Sequence, residues 1–515
     1  MKKIYFLITL VLSVSLLKAA IVEKSWIIKQ PEIVKHGNYQ KVVFPNTLQT
    51  NRAGEPSLPY FAVSLLLPPG ETAVSIEFKG EEETVIEGRF QLYPYQPSRT
   101  LNDTTKAPFI KNEKVYSSNH ICPASPTGRL KTAYLNGHGF AMSAFTPIKY
   151  IPATGKLSYY KKVTLVIHTK RSPVADEHLK QLRTSTTINH KVFKLAQNPE
   201  VLNLYKTMRS RSMADYRLLI ITGTDFLNSF DSLRNIYLER GIRSKVYSVN
   251  YINNNISGLD SQEKIRNFII QEYQNHGVEL VLLGGDVEII PYRGFYCYVI
   301  SGGGVESNDI PADLYYSALD GNWNDDGDNH WGEPDEDDLL PDIAVARMPF
   351  SNTTELNALI HKSIWYQNKP VLGEFTKPLL AGEYLYANPE TWGSDYLNLL
   401  IGTHSDNGYT TTGIPPSYDI DSLYEKHQSW SGTTLINHIN QGKEFVHHVG
   451  HANQTYVAHL SNSDITNANF YACNGITHNY TLFYTHGCDC GAFDYDDCIL
   501  ERMVNIENFA AAVIG

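Results

Sequence analysis

The hydrophobic rhythm of the chain changes once, near residue 215. Before that point apolar and polar residues alternate with period two, as Val74, Ile76 and Phe78 do between Ser75, Glu77 and Lys79, and as Val163, Leu165 and Ile167 do further on. Such alternation sets one face of a strand on a core and the other in water. Pro and Gly punctuate it, in Gly54-Glu55-Pro56-Ser57-Leu58-Pro59 and Pro68-Pro69-Gly70, so the pattern predicts a β-sandwich over residues 21–212. From 170 to 215 the chain turns polar and ends in Arg209-Ser210-Arg211-Ser212, which predicts an exposed linker.

After Tyr216 the apolar residues come in continuous runs. Leu218 to Ile221 is the first; Phe226, Phe230, Leu233 and Tyr237 follow at helical spacing, with Gly241 as a stop. Val246 to Val249 predicts the next strand, Asp260 with Glu263 a capping box, and Leu280 to Leu283 and Ile343 to Ala346 further buried strands. Fully apolar strands alternating with helices indicate a parallel sheet covered on both faces. The alternation restarts after Pro378, with Leu379 to Gly382, a helix near Tyr396 to Leu400, then Phe445 to Val449, Leu482 to Tyr484 and Phe509 to Ile514. The fold class is therefore α/β: two doubly wound subdomains, 213–376 and 377–515, after a β-sandwich domain. Gly515 falls at the end of an apparent strand, so the second subdomain is expected to be cut short.

Composition narrows the setting. The 515 residues carry 44 Lys+Arg against 54 Asp+Glu, a net charge of −10, and no basic block offers a nucleic-acid surface. Lys2 and Lys3, the apolar stretch Tyr5 to Leu17 and Lys18-Ala19-Ala20 read as a signal peptide over residues 1–20. A secreted or cell-surface protein is expected. No other segment approaches the ~20 apolar residues of a membrane helix. Four of the six cysteines, Cys473, Cys488, Cys490 and Cys498, crowd near the C-terminus, apart from Cys122 and Cys297. Six in a chain this long are too few for a disulfide scaffold, so the cluster asks for a chemical reading.

That chemistry lies at two strand ends. Phe445-Val446-His447-His448-Val449 runs into Gly450-His451, and Leu482-Phe483-Tyr484 leads to Gly487-Cys488. Open α/β sheets place their sites at the carboxyl ends of strands. A cysteine needs a nearby base to populate its thiolate, and turn amides can stabilise an oxyanion. On spacing alone, packing residues would fit equally well; the polar Asn453, Gln454 and Asp489 favour a site.

An apolar block ending in His-Gly or its equivalent, then an apolar block ending in Cys, resembles the caspase-like cysteine peptidases. The run Cys488-Asp489-Cys490-Gly491-Ala492-Phe493-Asp494-Tyr495 resembles the gingipain family, C25, in particular. The resemblance implies two caspase-like subdomains behind a β-rich prodomain that acts as the enzyme's own inhibitor. It implies a zymogen of a cysteine endopeptidase acting on protein or peptide substrates, with Cys488 as nucleophile and His451 as general acid and base. It further implies oxyanion donors in the backbone amides of Cys488 and Ala452, and Glu383 as the acid that orients the histidine. Ala452 stands where the family has glycine, which would tighten that turn. Asp395 roughly matches the family's specificity aspartate, and Lys206, Arg209 and Arg211 in the linker suit self-cleavage after Arg or Lys. A sortase-like transpeptidase and a catalytically inactive surface adhesion protein are the other functions such a fold could carry.

Two metal readings arise. His447 and His451 are four apart, a spacing that aligns side chains on a helix but not on a strand, and no His-Glu-x-x-His is present, so zinc is not expected. In the segment from Asn322 to Glu333, oxygen-bearing Asn322, Asn324, Asp326 and Asp328 occupy positions 1, 3, 5 and 7 of an EF-hand-like loop, with Gly327 at 6 and Glu333 at 12. Structural calcium is expected there. The family resemblance also suggests bound calcium, and no organic cofactor.

Overall fold

The computed structural model describes residues 20–50, 52–97, 108–206, 215–299, 305–387, 390–406 and 409–515. Residues 1–19 of the expected signal peptide, and Arg209 and Arg211 of the linker, lie outside the described residues.

The N-terminal part is a sandwich of two antiparallel sheets. Ile21–Ile27 pairs with Lys156–Arg171, which pairs with Glu71–Ile86; facing them, Pro59–Leu66 pairs with His138–Phe145 and that strand with Lys131–Leu135. Val63, Leu65 and Phe145 from one sheet meet Val163, Leu165 and Ile167 from the other in one core. Ile76 and Phe78 pack against it, but Val74 does not. The register slips between His168 and Thr169, so Val74 falls in a bulge and is 52% exposed.

The expected exposed linker is a correction. Residues Pro173–Leu179, Thr186–Leu195 and Leu202–Lys206 are helical, and Ile188, Val192, Leu202 and Tyr205 bury against Leu66, Leu135 and Phe140. Ile188 and Val192 lie four apart, so one helical face is apolar although the segment as a whole is polar.

This domain docks on the first α/β subdomain. The Asn136 N–H donates to Asp342 Oδ1 at 2.6 Å, and its amide donates to Tyr273 Oη at 3.0 Å and the Asp342 carbonyl at 2.9 Å. His178 Nδ1 lies 2.6 Å from Asp320 Oδ1, and Lys131 Nζ 3.2 Å from Asp337 Oδ1.

Strands β1 (Leu218–Thr222), β2 (Ser244–Ser248), β3 (Leu280–Gly284) and β4 (Ala344–Met348) form a parallel sheet in the order β2-β1-β3-β4. Between β2 and β3 runs helix α1, Ser261–His276. The Asp260 carboxylate caps α1 by accepting the Glu263 N–H at 2.8 Å, and Gly277 ends it at φ 78°. The second parallel sheet holds β5 (Leu379–Gly382), β6 (Asp421–Tyr424), β7 (Phe445–Val449), β8 (Thr481–Thr485) and β9 (Ala510–Ile514) in the order β6-β5-β7-β8-β9. The expected helix after β5 begins three residues early, as Gly393–Leu397. One core joins the two sheets: Leu218 and Ile220 of β1, Leu356 and Leu359 of the helix Thr353–Asn368, and Val446 and Phe483 of β7 and β8.

Candidate active site

Strands β7 and β8 are neighbours in register, with His448 opposite Thr485. His451 and Cys488 each lie three residues past that pair, so two parallel strands ~4.8 Å apart deliver them to the same end of the sheet. The ladder continues beyond the strands, the His486 N–H donating to the His448 carbonyl at 3.1 Å. A Cβ on Gly487 would sit 2.4 Å from the Cβ of Ala452. The methyl group that replaces the expected glycine therefore fits because residue 487 has no side chain, and the backbone of Ala452 lies against the cysteine turn.

The cysteines differ sharply. Cys488 is exposed, whereas Cys473, Cys490 and Cys498 are buried, and all six are free thiols. Cys490 Sγ donates to the Gly487 carbonyl at 3.4 Å, and burial pushes its thiol up to about 11. Asp489, between them, adopts the left-handed region at φ 52°, turning the chain sharply after Cys488. Cys488 is thus the sulfur presented to solvent by a bent turn.

His451 is exposed, with Nε2 3.3 Å from the Leu385 carbonyl. A carbonyl only accepts, so Nε2 carries the proton and Nδ1 is left for proton transfer. Tyr386 stands edge-on to the His451 ring at 6.0 Å between centroids. Its hydroxyl is pushed up by burial first and then by Cys488.

Glu383 follows β5 and is 3% exposed. Its Oε2 accepts the main-chain N–H of His451 at 2.9 Å, while Oε1 lies 3.0 Å from His448 Nε2. Burial raises this carboxyl, but the hydrogen bond and electrostatic contact with His448 and the His451 N–H together bring it below its ordinary value. The expected contact with the His451 imidazole is corrected: Glu383 holds the backbone of that residue, and Leu385 holds the ring.

Asp395 lies in the helix Gly393–Leu397, and Lys426 Nζ stands 2.5 Å from Oδ1 in a surface ion pair.

In the acidic loop, Asn322 Oδ1 accepts the Asn324 N–H at 2.9 Å and Asn324 Oδ1 the Gly327 N–H at 3.0 Å. The carboxylates that converge are Asp326, Glu333 and Glu336, and, with His330, Asp328 and Glu333. Asn322 and Asn324 thus close turns within the loop, as Asp326 and Asp328 do by accepting the Asp328 and His330 N–H groups, and Glu336 lies beside the expected carboxylates. Burial first, then Asp328, raise Glu333. A second group, Asp320, Asp338 and Asp342, also brings three carboxylates within 4.8 Å. Asp320 Oδ2 and Asp338 Oδ2 are buried there without a hydrogen-bond partner, and burial and Asp320 push Asp338 up to about 7. Both groups have the hard-oxygen chemistry of a calcium site.

Comparison with known families decides the kinship. The model of peptidase family C25 matches residues 211–515, and that of its propeptide matches residues 26–195. The chain belongs to peptidase family C25. Its α/β part carries the family's fold and its sandwich the family's propeptide. Lys-gingipain of Porphyromonas gingivalis is 24% identical over 508 residues, covering 93% of this chain and 26% of the relative. Gingipain R1 of the same organism is 21% identical over 453 residues, covering 83% and 40%. The chain thus spans about a quarter of the length of the Lys-gingipains it matches. Among solved structures, the Arg-specific cysteine proteinase gingipain R aligns at a TM-score of 0.43 and 18% identity, over 59% of this chain and 63% of that one.

Three residues of this C25 site were not read as functional from sequence: Tyr386, Thr485 and His448. The signal for His448 was present, since strand alternation sets it on the face opposite His447, next to the strand that ends before Glu383.

Proposed function

We propose that this chain is the zymogen of an exported, gingipain-like cysteine endopeptidase. The observation that carries the reading is the common register of His451 and Cys488 beyond β7 and β8, with Cys488 exposed among buried cysteines. The Cys488 thiolate attacks the scissile carbonyl to form a tetrahedral adduct, whose oxyanion faces the amides of Cys488 and Ala452. His451 Nδ1 takes the Cys488 thiol proton and passes it to the leaving amine as the C–N bond breaks and the thioester forms, then takes one from the water that hydrolyses the thioester and returns it to the departing Cys488 sulfur. Glu383 fixes the backbone from which the imidazole projects.

The sandwich serves as an inhibitory prodomain, retained through Asn136, His178 and Lys131 and released when the segment after Lys206 is cut. Cleavage after Arg or Lys is supported by the basic linker and by the names of the relatives, Lys-gingipain and gingipain R1. A basic substrate side chain reaches Asp395 only by displacing Lys426. Calcium is held by Asp326, Glu333 and Glu336 in the loop and by Asp320, Asp338 and Asp342 beside the prodomain. It neutralises clustered carboxylates and takes no part in the reaction. Export rests on the charged, apolar and small-residue pattern of residues 1–20. No described helix is long and apolar enough to cross a membrane.

Casein digestion, measured after the segment following Lys206 has been cut, tests the reading. Cys488→Ala and His451→Ala should each lower turnover by at least ~10³-fold, while Cys490→Ser digests normally. Activity retained in either of the first two variants would exclude the mechanism. Ligation to an added amine in place of hydrolysis would make the chain a transpeptidase.

A further inference from the structure

A buried polar chain links the two turns of the site. Gly487 N–H, one residue before Cys488, donates to Thr485 Oγ1 at 2.9 Å, and Thr485 Oγ1 lies 2.8 Å from His448 Nδ1. His448 Nε2 lies 3.0 Å from Glu383 Oε1, and Glu383 Oε2 accepts the His451 N–H at 2.9 Å. His448 is 0%, Thr485 2% and Glu383 3% exposed. The donors order themselves along this chain. An ionised carboxylate only accepts, so His448 Nε2 carries the proton toward Glu383, and Nδ1 accepts from the Thr485 hydroxyl, whose oxygen receives the Gly487 N–H. Both ring nitrogens of His448 are satisfied without water. Gly450 makes room: a Cβ there would lie 2.3 Å from His448 Nε2 and 2.4 Å from Glu383 Cδ.

We propose that His448 and Thr485 are positioning residues for the reaction, forming with Glu383 a buried brace that sets the His451 turn against the Cys488 turn. The inference rests on the peptidase reading above and extends it to two side chains that touch no substrate. The brace spans neighbouring strands through one hydroxyl and one imidazole, beneath turns on which His451, Asn453, Cys488 and Asp489 are exposed. A displacement of ~1 Å between nucleophile and base costs ~10²-fold in rate. Fixing that separation is what the chain of bonds accomplishes.

The test is Thr485→Val, which keeps the shape of Thr485 and removes its hydroxyl, beside Thr485→Ser, which restores it. In the full-length chain, hydrogen exchange followed by peptide mass spectrometry should show Thr485→Val loosening residues 449–453 as well as 485–489, with Thr485→Ser like the parent. In the activated enzyme, kcat should fall by ~10- to 100-fold with KM within about twofold, and Thr485→Ser should recover most of it. Should Thr485→Val fail to fold, His448→Gln, which keeps a donor toward Glu383 but loses the acceptor toward Thr485, should give the same pattern. Exchange changes confined to 485–489, with kcat unaltered, would overturn the brace. A linker-cut parent that neither turns over casein nor reacts at Cys488 would overturn the peptidase reading, while the exchange result would still decide the brace.

Discussion

Two cysteines two residues apart meet opposite fates at the level of the single residue. Cys488 sits on an exposed bend, whereas the Cys490 thiol is buried and donates to the Gly487 carbonyl. The sequence showed the difference only through its resemblance to C25, because strand-end spacing does not say which sulfur faces inward. It could not show that Lys426, 31 residues on, neutralises Asp395, nor that His448 occupies one oxygen of Glu383. Each is a pairing across the sheet that only the strand order creates. The second histidine of the pair offers a pH test. Burial first, then His486 and His448, push His447 down to about 4. The unfolded chain therefore binds a proton between about pH 6.5 and 4 that the folded chain refuses, so stability falls as pH drops through that window. His447→Phe removes this term. Denaturation at pH 7.5 and 5 should show the variant losing less stability on acidification than the parent, and equal losses would mean that His447 is free to protonate in the fold.

Among the elements, buried strands were the most legible, because continuous apolar runs at β1, β3 and β5 have no surface alternative. The helices of 173–206 were not, since their apolar residues are sparse and the segment's average polarity hides a single buried face. Val74 shows the same limit in a strand, as one bulge reverses the side to which the alternation points. The acidic loop was legible as a cluster of hard-oxygen side chains, but neither the turns its asparagines close nor the approach of Glu336 from beyond the twelve-residue frame could be read from spacing. If calcium neutralises these carboxylates, EDTA should lower the melting temperature by about 2–5 °C, reversed by added calcium but not magnesium. Glu333→Gln with Glu336→Gln should shrink that response, and a melting curve indifferent to EDTA would leave both carboxylate groups as solvated or protonated acids.

The whole molecule is an α/β pair of sheets with a sandwich fastened to the first sheet's acidic margin. Lys131 faces Asp337 and Arg129 faces Asp335 across that boundary, at partly exposed positions. Exposed pairs steer association more than they hold it. Once the linker is cut, Arg129→Glu with Lys131→Glu should weaken retention of the prodomain by ~10-fold or more at low salt and less at high salt, read by size-exclusion chromatography of the nicked chain. Retention unchanged at every salt concentration would place the binding energy in the more buried contacts, those of Asn136, His178 and Arg183.

The central claim, that His451 activates Cys488 as a nucleophile, is tested most directly by covalent labelling. The linker-cut protein is treated with a lysyl or arginyl peptide carrying an acyloxymethyl ketone, and the adduct is mapped by mass spectrometry. The account predicts a single adduct on Cys488, formed at least ~100-fold more slowly in His451→Ala and absent from Cys490. Labelling of Cys488 at the same rate with and without the histidine, or no labelling at Cys488 at all, would contradict it.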